Sequence, residues 1–244
     1  MTDTVIERPA AGEPWGEDEL VDRLRAQGTR YHNLHPFHVR MDAGELTREE
    51  LQRWVANRYL YQIVIPIKDA AILSNCPERD VRREWIQRIL DHDGDTAGGG
   101  GIESWFRLGE AVGVDRETMR SERLVIPGVR YACEAYVTFA RTKPWIEAVA
   151  SSLTELFGPA AIKVRLERME EHYPWIDPAG LDYFRARLHQ APRDADYALG
   201  LVVERCRTRE QQQKAVDALS FKLDMLWAQL EAIDRGDTRP GIAS

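Results

Sequence analysis

REQQQKAVDALSFKLDMLWAQLEAIDR, residues 209–235, carries Val216, Leu219, Leu223, Leu226, Leu230 and Ile233 at alternating steps of three and four. That spacing lines the apolar side chains along one face of a long helix and makes a stripe that must be buried against something. No convincing run of period-two alternation occurs in the chain, so the partners of this stripe are other helices. The predicted class is all-α, a compact helical bundle.

Working outward from that helix, the strongest start signal is Thr47-Arg48-Glu49-Glu50. It is a capping box in which Thr and the Glu three residues on satisfy each other's backbone amides, and a helix is predicted from there to about Leu73. Pro66 lies inside it and predicts a kink or break near Val64 to Pro66 that bends the helix around a cavity. SNCPERD opens the next helix, with Pro77 near its first turn, and DHDGDTAGGGG ends it after about Asp91. Further helices are predicted at 101–113, 128–142, 145–157, 160–172, 178–190 and 194–207, with a short one from Glu17 to Gln27. Residues 1–16, polar and rich in Pro and Gly, form a flexible arm, and 236–244 a flexible tail or a linker to a further module or partner. Residues 17–235 are then a single helical domain without internal repeats.

Composition narrows the class of function. A net charge of −7 without any Lys/Arg block argues against nucleic acid as a partner. Cys76, Cys133 and Cys206 are far apart and form no CxxC pair, so they suggest buried small hydrophobes rather than a disulfide framework or zinc knuckle. The first twenty residues carry acids and prolines where a signal peptide needs a basic start and an apolar run, and no uninterrupted apolar stretch of about 18 residues follows. No membrane association is predicted, and the cytoplasm is the default location.

Several helix-borne pairs could carry chemistry. Arg88 and His92 share a face near a helix C-terminus, whose carbonyls favour a protonated imidazole, yet a solvated surface pair has the same spacing. Tyr183 and Arg187 repeat the arrangement in LDYFRARL, where an ordinary amphipathic helix is the competing explanation. Lys222, between Phe221 and Leu223, either snorkels outward or meets an anion. His32, His35 and His38 recur at intervals of three and invite a metal reading, but Pro36 interrupts them and no paired Glu-x-x-His motif exists, since Met169 holds the required position in MEEH. No metal is expected. Gly98 to Gly101 lack the GK[ST] of a phosphate loop, and no GxSxG or Rossmann fingerprint occurs.

Nine segments, in order, resemble the pyrroloquinoline-quinone synthase family: YHNLHPFH, WVANRYLYQIVIPIKDAAI, RRxWxQRILDHDG, GGIESWxRLGEAVG, PGVRYA, SSLTELFGP, HYPWI, YFRARL and FKLDMLW, spanning roughly residues 20–235. The resemblance implies a seven-helix bundle of heme-oxygenase-like and thiaminase-like architecture, usually a homodimer, that uses no heme, flavin or metal cofactor. It implies a substrate derived from linked glutamate and tyrosine. This tricarboxylated precursor undergoes ring closure and eight-electron oxidation by O2, with release of H2O2, to give pyrroloquinoline quinone. A polycarboxylate needs convergent cations, and the matching positions are Arg58, Lys68, Arg88, Arg165 and Lys222. Tyr31, His32, Tyr61, Gln62, Tyr136 and Glu155 match positions that add hydrogen bonds and proton transfer. His92 matches the general base and Tyr183 with Arg187 the oxygen site.

Two places depart from the family pattern. Ile162 stands where an oxygen-site histidine is expected after LFGPA, and Asp95-Thr96-Ala97 where another histidine is expected. Two other readings stay open on the same architecture. One is a thiaminase-like hydrolase, which would need a cysteine nucleophile such as Cys133. The other is a non-catalytic protein that binds and delivers the quinone.

Overall fold

The computed structural model describes residues 12–236. The described residues contain no strand and form eleven α-helices: α1 Glu17–Ala26, α2 Pro36–Asp42, α3 Arg48–Asn75, α4 Arg79–Asp93, α5 Gly100–Val112, α6 Arg116–Arg120, α7 Pro127–Thr142, α8 Trp145–Ala150, α9 Gly158–His172, α10 Asp182–Arg205 and α11 Arg209–Arg235. Seven were expected. The excess comes from short helices such as α2, α6 and α8, within a bundle that is otherwise as anticipated.

α3 is the central rod and packs against α4, α5 and α7, while α11 closes the other side against α7, α8 and the 3₁₀ turn Ser151–Leu156. The Thr47 box forms as expected: the Glu50 carboxylate accepts from Thr47 N at 2.8 Å and Glu50 N donates to the Thr47 hydroxyl at 3.2 Å. α11 starts with a second box, Thr208 with Gln211, which the sequence reading passed over. Along α11, Leu219, Leu223, Leu226 and Leu230 are no more than 2% exposed, each worth roughly 1.5–3 kcal/mol of apolar burial.

Both internal prolines behave differently from expectation. α3 runs unbroken through Pro66, and the helices expected at 178–190 and 194–207 are one continuous α10 containing Pro192. An isolated helix loses about 3 kcal/mol at an interior proline, but α3 is buried on most of its circumference, and tertiary packing holds the helical path. Pro77 lies outside α4, which begins at Arg79. The helix expected over 145–157 is split, α8 tightening into the 3₁₀ turn that carries Thr154 and Glu155.

The expected flexible arm is also corrected where it can be seen. Trp15 is buried, its backbone N–H donates to Gln212 Oε1 at 2.7 Å, and Arg23 and Arg209 each sit 4.1 Å from its ring. Residues 1–11 and 237–244, the rest of the arm and nearly all of the tail, lie outside the described residues. After α4 the chain turns on glycine: Gly100 has φ +85°, and a Cβ there would lie 2.6 Å from His92 O. The end of α4 is therefore held tightly where His92 projects.

Candidate active site

α3, α4, α5, α9, α10, α11 and the turns at 31–34 and 151–156 surround a buried cavity of about 90 Å³. Ten of the fourteen candidate catalytic and substrate-binding residues line it: Tyr31, His32, Arg58, Tyr61, Gln62, His92, Glu155, Arg165, Tyr183 and Arg187. The other four, Lys68, Arg88, Tyr136 and Lys222, are buried behind its walls.

The cations on the walls are aimed by acceptors, two of them outside the cavity and one, Glu155, on its wall. Arg58 donates to Gln229 Oε1 at 2.9 Å and lies 3.8 Å from the centre of the Tyr61 ring. Arg165 Nε donates to Asp42 Oδ1 at 3.0 Å. Arg187 donates to Glu155 Oε2 at 2.7 Å. Burial opposes ionisation of Glu155, but Arg187 and Arg88 outweigh it and keep its carboxyl below the usual range. Glu155 is therefore an anion that fixes two guanidiniums, supplying the hydrogen bonds expected of its position.

Behind the cavity Lys68 and Arg88 are matched by carboxylates. Asp69 accepts from Lys68 at 2.6 Å and from Trp85 Nε1 at 2.9 Å, and lies 3.5 Å from Arg88 Nε. Asp194 pairs with Arg88 at 2.9 Å and with Arg187 at 3.4 Å. Lys222 neither snorkels nor meets a carboxylate: its ammonium nitrogen donates to Tyr61 Oη at 2.8 Å and sits 3.3 Å from the centre of the Tyr136 ring. Burial, with Lys68 and Arg58 adding like charge, drives its pKa well below the ordinary lysine value.

The two cavity histidines present different nitrogens. His92 Nδ1 lies 3.0 Å from Arg88 O, its neighbour one turn back. A carbonyl only accepts, so Nδ1 carries the proton and Nε2 is left with a lone pair. The helix end was expected to protonate this ring. Burial, reinforced by Arg187, instead lowers its pKa to about 4 and leaves it neutral near pH 7. His32 is neutral for the same reason, with Arg58 and Arg165 beside it.

Tyr183 hydroxyl donates to Gln62 Oε1 at 2.9 Å, and its ring meets the edge of Trp105 at 4.8 Å. Burial raises the phenol pKa above its usual value, so it is an O–H donor at neutral pH. Ile162 lines the same cavity and contributes an apolar face to its wall.

The remaining histidines of the triplet have separate tasks. His35 accepts from Phe37 N at 3.1 Å as the cap of α2, and His38 packs behind His32. Among the described residues no group of three or more His, Cys, Asp and Glu is placed to hold a metal ion. Cys133 does not line the cavity, and burial pushes its thiol up to about 12.

Asp42, Asp69 and Asp194, which aim the cations, were not singled out in the sequence, nor were Trp105, Thr154 and Phe184 on the wall. Asp194 lies seven residues after Arg187, two turns along the same helix face, a signal hidden by the expectation of a break at Pro192.

Residues 21–232 match the TENA/THI-4/PQQC family. The chain is 56% identical over 215 residues to the pyrroloquinoline-quinone synthase of Pseudomonas syringae pv. syringae strain B728a, covering 88% of this chain and 86% of that protein. It is 55% identical over 220 residues to the pyrroloquinoline-quinone synthase of Pseudomonas putida strain GB-1, covering 90% and 88%. Among solved structures, a Shewanella denitrificans domain of unknown function with a heme oxygenase-like fold superposes with a TM-score of 0.73 at 13% identity, covering 91% of this chain and 93% of that one. A TenA homologue from P. horikoshii gives 0.66 at 14% identity, covering 86% and 99%. The bundle is thus the heme oxygenase-like fold, and the chain belongs to the TENA/THI-4/PQQC family.

Proposed function

We propose that this chain catalyses the last step of pyrroloquinoline quinone biosynthesis, ring closure and eight-electron oxidation of a tricarboxylated precursor by O2, with no metal, heme or flavin. The observation that carries the proposal is the convergence of Arg58, Arg165 and Arg187 with two neutral histidines on one buried cavity. Each dioxygen that leaves as H2O2 carries away two electrons and two protons, so the site must both deprotonate the substrate and shelter reduced oxygen.

In this reading Arg58 and Arg165 hold substrate carboxylates. His92 Nε2, unprotonated and hydrogen-bonded through Nδ1, takes a ring proton and leaves an electron-rich anion able to reduce oxygen. Arg187 and the Tyr183 hydroxyl face the developing oxygen anion, and Glu155 keeps Arg187 in place. The cavity of about 90 Å³ takes a few waters or dioxygen, whereas ligands of this size occupy several hundred, so the walls must part on binding.

The homodimeric state and cytoplasmic location are part of the same proposal, extended from the family resemblance. Among the described residues no helix is long and apolar enough to cross a membrane. Ile162 favours one rival, a quinone carrier without turnover, because it adds no polar group at the oxygen side. Incubating the purified chain with precursor under O2, while following quinone absorbance and peroxide, separates the two. Multiple turnovers without added metal or flavin support the oxidase, and stoichiometric binding without turnover supports the carrier.

A further inference from the structure

We propose that His38 is a positioning residue for the cavity, fixing His32 as the tautomer that presents an Nε2–H donor to a bound anion. The inference rests on the proposed polycarboxylate site for its purpose but not for its geometry.

His38 does not line the cavity; it is buried behind His32, with the ring edge-on to Trp54 at 6.1 Å. Its Nδ1 lies 3.0 Å from His32 O and 3.1 Å from His32 Nδ1. The carbonyl can only accept, so His38 Nδ1 must carry a proton, and that proton is shared with His32 Nδ1 as a second acceptor. The reverse assignment, a proton on His32 Nδ1, would set a bare His38 nitrogen against a carbonyl oxygen at hydrogen-bond distance, or set two N–H groups against each other. His38 Nε2 is buried with no partner. A lone pair there is tolerated more readily than an unpaired buried N–H.

Both rings resist a second proton because they are buried beside Arg58 and Arg165. His32 is thereby neutral with Nδ1 occupied as an acceptor, and its proton sits on Nε2. The first and last histidines of the triplet that invites a metal reading, six residues apart, serve instead to pass one backbone carbonyl's preference through His38 to the wall of the cavity.

The test is long-range ¹H–¹⁵N correlation NMR of the ¹⁵N-histidine chain, which has six histidines to assign. His32 is expected as the Nε2–H tautomer in the native chain. His38→Asn, whose amide nitrogen overlays Nδ1, should preserve that tautomer, and His38→Gln should shift His32 toward Nδ1–H. In turnover, His38→Gln is expected to lose roughly tenfold to a hundredfold, mainly in KM for the precursor, from one displaced charge-assisted hydrogen bond, with His38→Asn within about threefold of native. An Nδ1–H tautomer in the native chain overturns the proposal, as does an unshifted tautomer in His38→Gln or an equal loss in both variants. If the chain turns nothing over, the NMR result still decides the role of His38, so failure of the oxidase reading and failure of this one are distinct.

Discussion

His92 and His32 stand on different walls of one cavity, each buried, each neutral, each governed by a backbone carbonyl, yet they offer it opposite chemistry. On α4 the carbonyl of Arg88 accepts directly from His92 Nδ1–H and leaves Nε2 with a free lone pair. On the 31–34 turn the carbonyl of His32 engages His38 first, and His32 is left as a donor. Two imidazoles with the same pKa direction thus divide into base and anion binder through their hydrogen bonds, which decide what burial alone leaves undecided.

Replacing the base should have the largest effect. His92→Asn is expected to lower kcat by roughly 10²–10⁴, the usual worth of a positioned general base, while precursor binding by titration stays nearly native. The oxygen side comes next. Arg187→Met should slow peroxide formation by roughly 10²–10³ while leaving substrate deprotonation near native. In stopped flow, a loss confined to the deprotonation phase would contradict that assignment.

Acid should expose both walls together. The unfolded His92 titrates near its ordinary value of about 6.5, whereas the folded ring titrates at about 4, and His32 and His38 are lowered too. Between those values the unfolded chain binds protons that the native one refuses. Stability is therefore intact above about pH 6.5 and is lost as pH falls toward 4, with His92 alone accounting for roughly 3 kcal/mol at ~1.4 kcal/mol per unit. Tm measured against pH should show this slope, and His92→Asn should flatten it. A Tm constant from pH 7 to 5 would contradict the buried neutral pair.

The smallest expected change is a gain. Ile162→His should speed the peroxide-forming steps up to about tenfold, by adding a donor to the cavity that Tyr183 and Arg187 also line. An unchanged rate would mean that the isoleucine limits nothing.

How much of this could be seen in the chain differs between fold and site. The α11 stripe and the Thr47 box are local signals, so the helices they mark appear where expected. Pro66 and Pro192 misled because a proline's cost is local while the packing that offsets it comes from distant helices. Trp15 misled likewise, since Gln212, which holds it, is 197 residues away. The site residues came from family segments. What those segments could not reveal is which cations reach the cavity. Arg58 and Arg187 do, while Lys68, on the same helix as Arg58, and Arg88, on α4, turn to Asp69 and Asp194 behind it. The tautomers were invisible for the same reason, because both depend on a carbonyl's position in three dimensions.

The division of labour between the walls is tested most directly by an anaerobic single turnover with precursor labelled at the ring proton, followed by admission of O2. Native chain is expected to release the label before oxygen arrives and to form quinone and peroxide afterwards. The Arg187→Met variant should release the label yet oxidise slowly, and His92→Asn should retain it. Release of the label by His92→Asn at the native rate would contradict the assignment of His92 as the base.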